Sequence, residues 1–133
     1  MEPAIRSPRS SIKSVFVVED HLTIVDLFHE LVASSPSLEW GGSASSLSEA
    51  RSKLAGCDLP GMVVLDLGLP DGDGRKLLDY LDQLDARCSV ILVTGLHSEA
   101  LIDLLCSGRV AGAVDKLTAN LTHWRLALET VRG

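Results

Sequence analysis

The chain has 133 residues, 46% of them hydrophobic and 23% charged, with a formal net charge of -6. That is enough for one domain with one proper core, and the balance is that of a soluble globular protein. It excludes collagen-like and broadly disordered chains, and no apolar run approaches the ~20 residues of a membrane helix. The acidic balance, without a basic cluster, argues against nucleic-acid binding by this chain itself. Met1 to Ser11 carries Arg6 and Arg9 with no apolar segment behind them, so it is no secretory signal. The three cysteines, Cys57, Cys88 and Cys106, are odd in number and widely spaced, which fits reduced thiols and a cytoplasmic location.

In chain order, residues 1–13 read as a flexible tail and 14–133 as the folded unit. Three aliphatic runs, Val15 to Val18, Met62 to Leu65 and Val90 to Val93, are short and lack period-two alternation. Such runs suit strands buried on both faces of a parallel sheet. Weaker runs at Leu38 to Ala44 and Val110 to Val114 complete five strands. Between them, Leu22, Val25, Leu27, Phe28, Leu31 and Val32 repeat at helical spacing, and Ser34-Ser35-Pro36 stops that helix. Ser48 to Ala55, Arg75 to Leu84, Ser98 to Cys106 and Thr118 to Arg132 give four more. Strict alternation predicts an α/β fold: a doubly wound five-stranded parallel sheet flanked by five helices.

In such sheets, function sits at the carboxyl ends of the strands. There the sequence places Glu19 and Asp20 after the first run, Asp66 after the third, Thr94 after the fourth, and Asp115 and Lys116 after the fifth. Three clustered carboxylates repel one another. Oxygen ligands of this kind, with no histidine or thiolate nearby, suit a hard cation such as Mg2+. One carboxylate is then left as a nucleophile, with Lys116 and the Thr94 hydroxyl available to a phosphoryl oxygen. Asp71 and Asp73 read as turn and capping residues launching the third helix. His21, His29, His97 and His123 are scattered and read as bystanders, and Leu121, Trp124, Leu128 and Val131 as a core stripe.

Val17-Val18-Glu19-Asp20-His21, Val64-Leu65-Asp66-Leu67-Gly68-Leu69-Pro70-Asp71-Gly72-Asp73-Gly74, Val93-Thr94-Gly95 and Asp115-Lys116 together resemble the receiver domains of two-component response regulators. The resemblance covers about residues 14 to 132 and looks closest to receivers whose usual output is a helix-turn-helix DNA-binding domain. It implies that Asp66 is phosphorylated by a sensor histidine kinase or phosphotransfer protein. It implies that Asp20, Asp66 and the Gly68 carbonyl bind Mg2+ directly, with Glu19 acting through water. Thr94 and Lys116 would hold the phosphoryl group. A homodimer is an admissible assembly; no membrane or nucleic-acid partner is expected. Such a protein is a signalling phosphoacceptor rather than an enzyme, catalysing at most its own phosphorylation and dephosphorylation.

Two features depart from the family pattern. The aromatic residue expected three positions before the lysine is Ala113, so the usual aromatic–threonine coupling cannot operate in its common form. The segment after Lys116 has room for one helix, which leaves a stand-alone receiver and a piece of a longer regulator both open. Two other readings compete. A pseudo-receiver that signals without phosphorylation predicts an eroded acidic pocket. A flavodoxin-like cofactor enzyme needs a phosphate loop where this chain has Glu19-Asp20-His21.

Overall fold

A computed structural model describes residues 12–55, 59–84, 88–95, 99–115, 124–126 and 128. Five strands, β1 (Lys13–Val18), β2 (Leu38–Ala44), β3 (Met62–Leu65), β4 (Ser89–Thr94) and β5 (Gly112–Asp115), form one sheet. Their spatial order is β2-β1-β3-β4-β5 and every pairing is parallel. Helices α1 (Leu22–Ala33), α2 (Leu47–Ala55), α3 (Arg75–Gln83) and α4 (Glu99–Ser107) connect them. Residues 124–126 and 128 are helical and belong to the fifth helix; the rest of its expected span, 118–132, lies outside the described residues. The architecture is the doubly wound five-stranded sheet with five helices that the alternation predicts.

Parallel pairing needs crossovers, and the crossovers cover both faces with helices. The strand side chains accordingly divide by parity. Val15, Val17, Met62, Val64, Ile91 and Val93 meet Val25, Phe28, Val32, Trp124 and Leu128 on one face. Phe16, Val18, Val63, Leu65, Val90 and Leu92 meet Leu47, Leu54, Leu77, Leu81 and Leu104 on the other. This is why the runs are apolar at every position. Phe28 stacks on Trp124 with ring centroids 4.9 Å apart, tying α1 to the last helix. Trp124 and Leu128 are core residues, as the stripe predicts, while Leu121 and Val131 lie outside the described residues.

One boundary moves and one capping residue serves a different helix. The fifth strand starts at Gly112, where its ladder to Ile91 begins, and runs to Asp115; the apolar run at Val110 places it two positions too early. Asp71 does not launch α3. Its two carboxylate oxygens accept the N–H groups of Leu47 (2.8 Å) and Ser48 (3.0 Å), capping α2 from 24 residues away in sequence. Asp73 does serve α3, accepting the Arg75 N–H at 2.9 Å. Between them, Gly68–Leu69 and Gly72–Asp73 form a small antiparallel pair.

Candidate functional site

Register brings the strand ends together. Val18 pairs with Leu65 and Leu65 with Leu92, and the Asp66 N–H donates to the Val18 carbonyl at 3.0 Å. The residues just beyond β1 and β3 therefore share one edge. Thr94 and Asp115 are paired across β4 and β5. The Thr94 backbone thus reaches the same end of the sheet; its side chain, and all of Lys116, lie outside the described residues.

Glu19 is 2% exposed and Asp66 4%, both far below the usual exposure of carboxylates. Asp20 is partly exposed beside them. Ligand atoms of Glu19, Asp20, His21 and Asp66 all lie within 4.8 Å of one another. Burying several carboxylates in one place is costly unless a cation or hydrogen bonds compensate. Part of the compensation comes from the chain itself. Gly68 N–H donates to Asp66 Oδ1 at 3.0 Å, which fixes the rotation of that carboxylate. His21 N–H donates to Glu19 Oε1 at 3.0 Å. Asp20 Oδ1 is buried and accepts no hydrogen bond from the described residues, with His21 Nδ1 3.3 Å away. A pocket of oxygens with such an acceptor fits a divalent cation: Asp20 and Asp66 would ligate it, Glu19 would stand close behind, and the Gly68 carbonyl is on the adjoining loop.

His21 is the residue that sequence reasoning left aside. Its Nδ1 lies 2.7 Å from Glu19 Oε1, inside the pocket. The adjacency Glu19-Asp20-His21 was the available signal: a β-extended residue at the N-cap of α1, immediately after the strand end. The other three histidines lie outside this cluster or outside the described residues.

The loop after Asp66 is held tightly. Gly74 N–H donates to the Leu67 carbonyl at 2.9 Å, and a Cβ on Gly74 would stand 2.5 Å from the Asp66 carbonyl oxygen and 2.9 Å from Leu67 Cα. Gly74 has ordinary helical dihedrals, so the requirement there is for space. Gly72 has φ +150°, so there the requirement is conformational. The glycines of Asp71-Gly72-Asp73-Gly74 thus let α3 start directly against the loop that follows Asp66.

A sequence profile of the response regulator receiver domain matches residues 15–126. The DNA-binding transcriptional activator DevR/DosR of Mycobacterium tuberculosis is 35% identical over 96 residues, covering 71% of this chain and 43% of that protein. The transcriptional regulatory protein DcuR of Escherichia coli is 28% identical over 126 residues, covering 87% of this chain and 53% of that protein. The chain thus spans about half the length of these relatives. Among solved structures, the phosphorylated cyanobacterial phytochrome response regulator RcpA superposes with a TM-score of 0.70 at 25% identity, over 90% of this chain and 91% of that one. A CheY-like receiver domain protein from Methanospirillum hungatei gives 0.76 at 20% identity, over 91% and 94%, a likeness of fold. Profile, relatives and the order of strand-end residues agree: this chain belongs to the response regulator receiver domain family.

Proposed function

We propose that the chain is a phosphoacceptor switch in which Asp66 accepts a phosphoryl group from the phosphohistidine of a sensor histidine kinase or phosphotransfer protein. The observation that carries this reading is the buried Asp66 carboxylate, held by Gly68 N–H within one cluster with Glu19 and Asp20. With Oδ1 turned to Gly68, Oδ2 is assigned as the nucleophile. It bonds to phosphorus as the P–N bond breaks, and the leaving imidazole keeps the electron pair and takes a proton.

Mg2+ is assigned to Asp20, Asp66 and the Gly68 carbonyl, with Glu19 through water; when bound, it neutralises charge on the phosphoryl oxygens. Thr94 and Lys116 are assigned to those oxygens on the strength of the family resemblance and the Thr94–Asp115 register. The receiver unit is taken to begin at Lys13, the first residue of β1 and one position before the expected 14–133, with the residues before it as a tail. The chain signals from the cytoplasm, where kinase and Mg2+ are available, and its output is carried by a partner or by a DNA-binding domain of a longer regulator. The intact pocket favours phosphorylation over a pseudo-receiver role.

Incubation with Mg2+ and acetyl phosphate, followed by intact mass measurement, tests the reading. One phosphoryl adduct is expected on the parent and none on Asp66→Asn. An adduct that persists in Asp66→Asn would overturn it.

A further inference from the structure

We propose that His21 is a metal ligand of the acidic pocket, through Nδ1, and that it gives the pocket a preference for borderline transition metals such as Ni2+ and Co2+ that its oxygens alone would not confer. This rests on the metal-binding reading of the pocket and extends it to a residue and a class of cation.

His21 Nδ1 lies 2.7 Å from Glu19 Oε1 and 3.3 Å from Asp20 Oδ1. With Asp66 added, the four donor atoms span no more than 4.8 Å. For a first-row ion with ligands at ~2.1 Å, neighbouring donor atoms stand roughly 3 Å apart and opposite ones roughly 4.2 Å. The cluster already has nearly that size, so small side-chain rotations bring His21 Nδ1 onto one ion with the Asp20 and Asp66 oxygens, with Glu19 still behind them. The ring is 62% exposed, so it has room to make such a rotation.

Helix capping does not explain the ring's position. His21 is the N-cap of α1, yet its side chain makes no capping hydrogen bond. Nor does anchoring Glu19 require the ring, because the His21 backbone N–H already donates to the same Glu19 oxygen at 3.0 Å. Glu19 therefore keeps a donor when Nδ1 turns its lone pair to a cation; the ring proton is then on Nε2. Replacing one oxygen of an all-oxygen set by imidazole nitrogen shifts selectivity toward Ni2+, Co2+ and Zn2+, and gives Mg2+ little.

The test titrates Mg2+, Ni2+ and Co2+ separately into the full chain by calorimetry at one fixed pH, following Co2+ also by visible absorption. Parent, His21→Ala, His21→Gln and Asp20→Ala are compared. Gln keeps a donor for Glu19 but is a poor ligand. Both His21 variants are expected to lose at least tenfold in Ni2+ and Co2+ affinity, with a changed Co2+ spectrum, while Mg2+ affinity moves less than threefold. Parental Ni2+ affinity in both variants would overturn the proposal and leave the Mg2+ reading standing. So would recovery in His21→Gln, which would make His21 a positioning residue for Glu19. Ni2+ that binds equally to Asp20→Ala lies elsewhere and also overturns it. Mg2+ binding unaffected by Asp20→Ala would instead remove the pocket reading itself.

Discussion

Gly74 lies against the main chain of Asp66 so closely that a methyl group on it would stand 2.5 Å from the Asp66 carbonyl oxygen. The first turn of α3 and the loop after Asp66 therefore fix each other's position. Gly74→Ala must push the loop, and overpacking a buried contact typically costs about 1–3 kcal/mol. Urea unfolding is expected to show a loss in that range with unchanged m, and acetyl phosphate labelling is expected to slow. Because the backbone at Gly74 is helical, no strain from dihedral angles contributes. Unaltered stability and labelling would show that the loop yields freely.

Asp20→Ala is expected to weaken Mg2+ binding by at least tenfold, about 1.4 kcal/mol. Its Oδ1 is buried among Glu19, His21 and Asp66, and removing it takes away a direct anionic ligand. Calorimetric titration measures this. Glu19→Gln, which keeps the shape and loses only a charge assigned to act through water, is expected to cost less.

Asp71 is expected to contribute to acid stability through α2. The hydrogen bonds from Leu47 N–H first, and Ser48 N–H next, lower its pKa from the ordinary value of 3.8. A group whose folded-state pKa is depressed contributes stability above its unfolded pKa, and loses it as pH falls through the folded value. Asp71→Asn is therefore expected to lower the urea midpoint at neutral pH. The gap from the parent should narrow as pH drops below about 3.8, the unfolded-state reference. A gap independent of pH would refute the assignment.

Ala113 stands in register with Leu92, exposed on β5, where the family resemblance leads one to expect an aromatic ring. A methyl group has few differential contacts with which to bias a two-state equilibrium. Phosphorylation is therefore expected to reorganise the backbone around Thr94 and Gly95, and α4, more than β5. Leu105, half exposed on α4, is a candidate contact for a partner. Amide exchange with and without beryllofluoride checks this; changes confined to β5 with α4 silent would contradict it.

Most of the fold was legible because burial on both faces leaves a simple mark. A strand such as Met62–Leu65 is covered on both faces and is apolar at every position, and its shortness and β-branched content set it apart from the helices. The carboxylate cluster was legible for a related reason: parallel strands deliver their ends to one edge, so Glu19, Asp20 and Asp66 could be placed together before any coordinates. Tertiary partners were not legible. Asp71 looks like a local cap, and nothing within five residues says that its oxygens serve Leu47 and Ser48. The α2 start carries a local signal that the periodicity reading passed over: Ser46 Oγ accepts Glu49 N–H, and Glu49 reaches back to Ser45. His21 was set aside because a lone histidine carries no spacing signal, although its adjacency to Glu19 and Asp20 was there to be read. Only the turn from β1 into α1 brings its ring onto Glu19.

The central claim is that Asp66 is the acceptor. Its most direct test is tandem mass spectrometry of peptic fragments after Mg2+ and acetyl phosphate treatment, under conditions that preserve acyl phosphates. The adduct is expected on the fragment containing Met62 to Leu69, at Asp66. An adduct on Asp20 or any other residue, or none while Mg2+ still binds the pocket, would contradict the account.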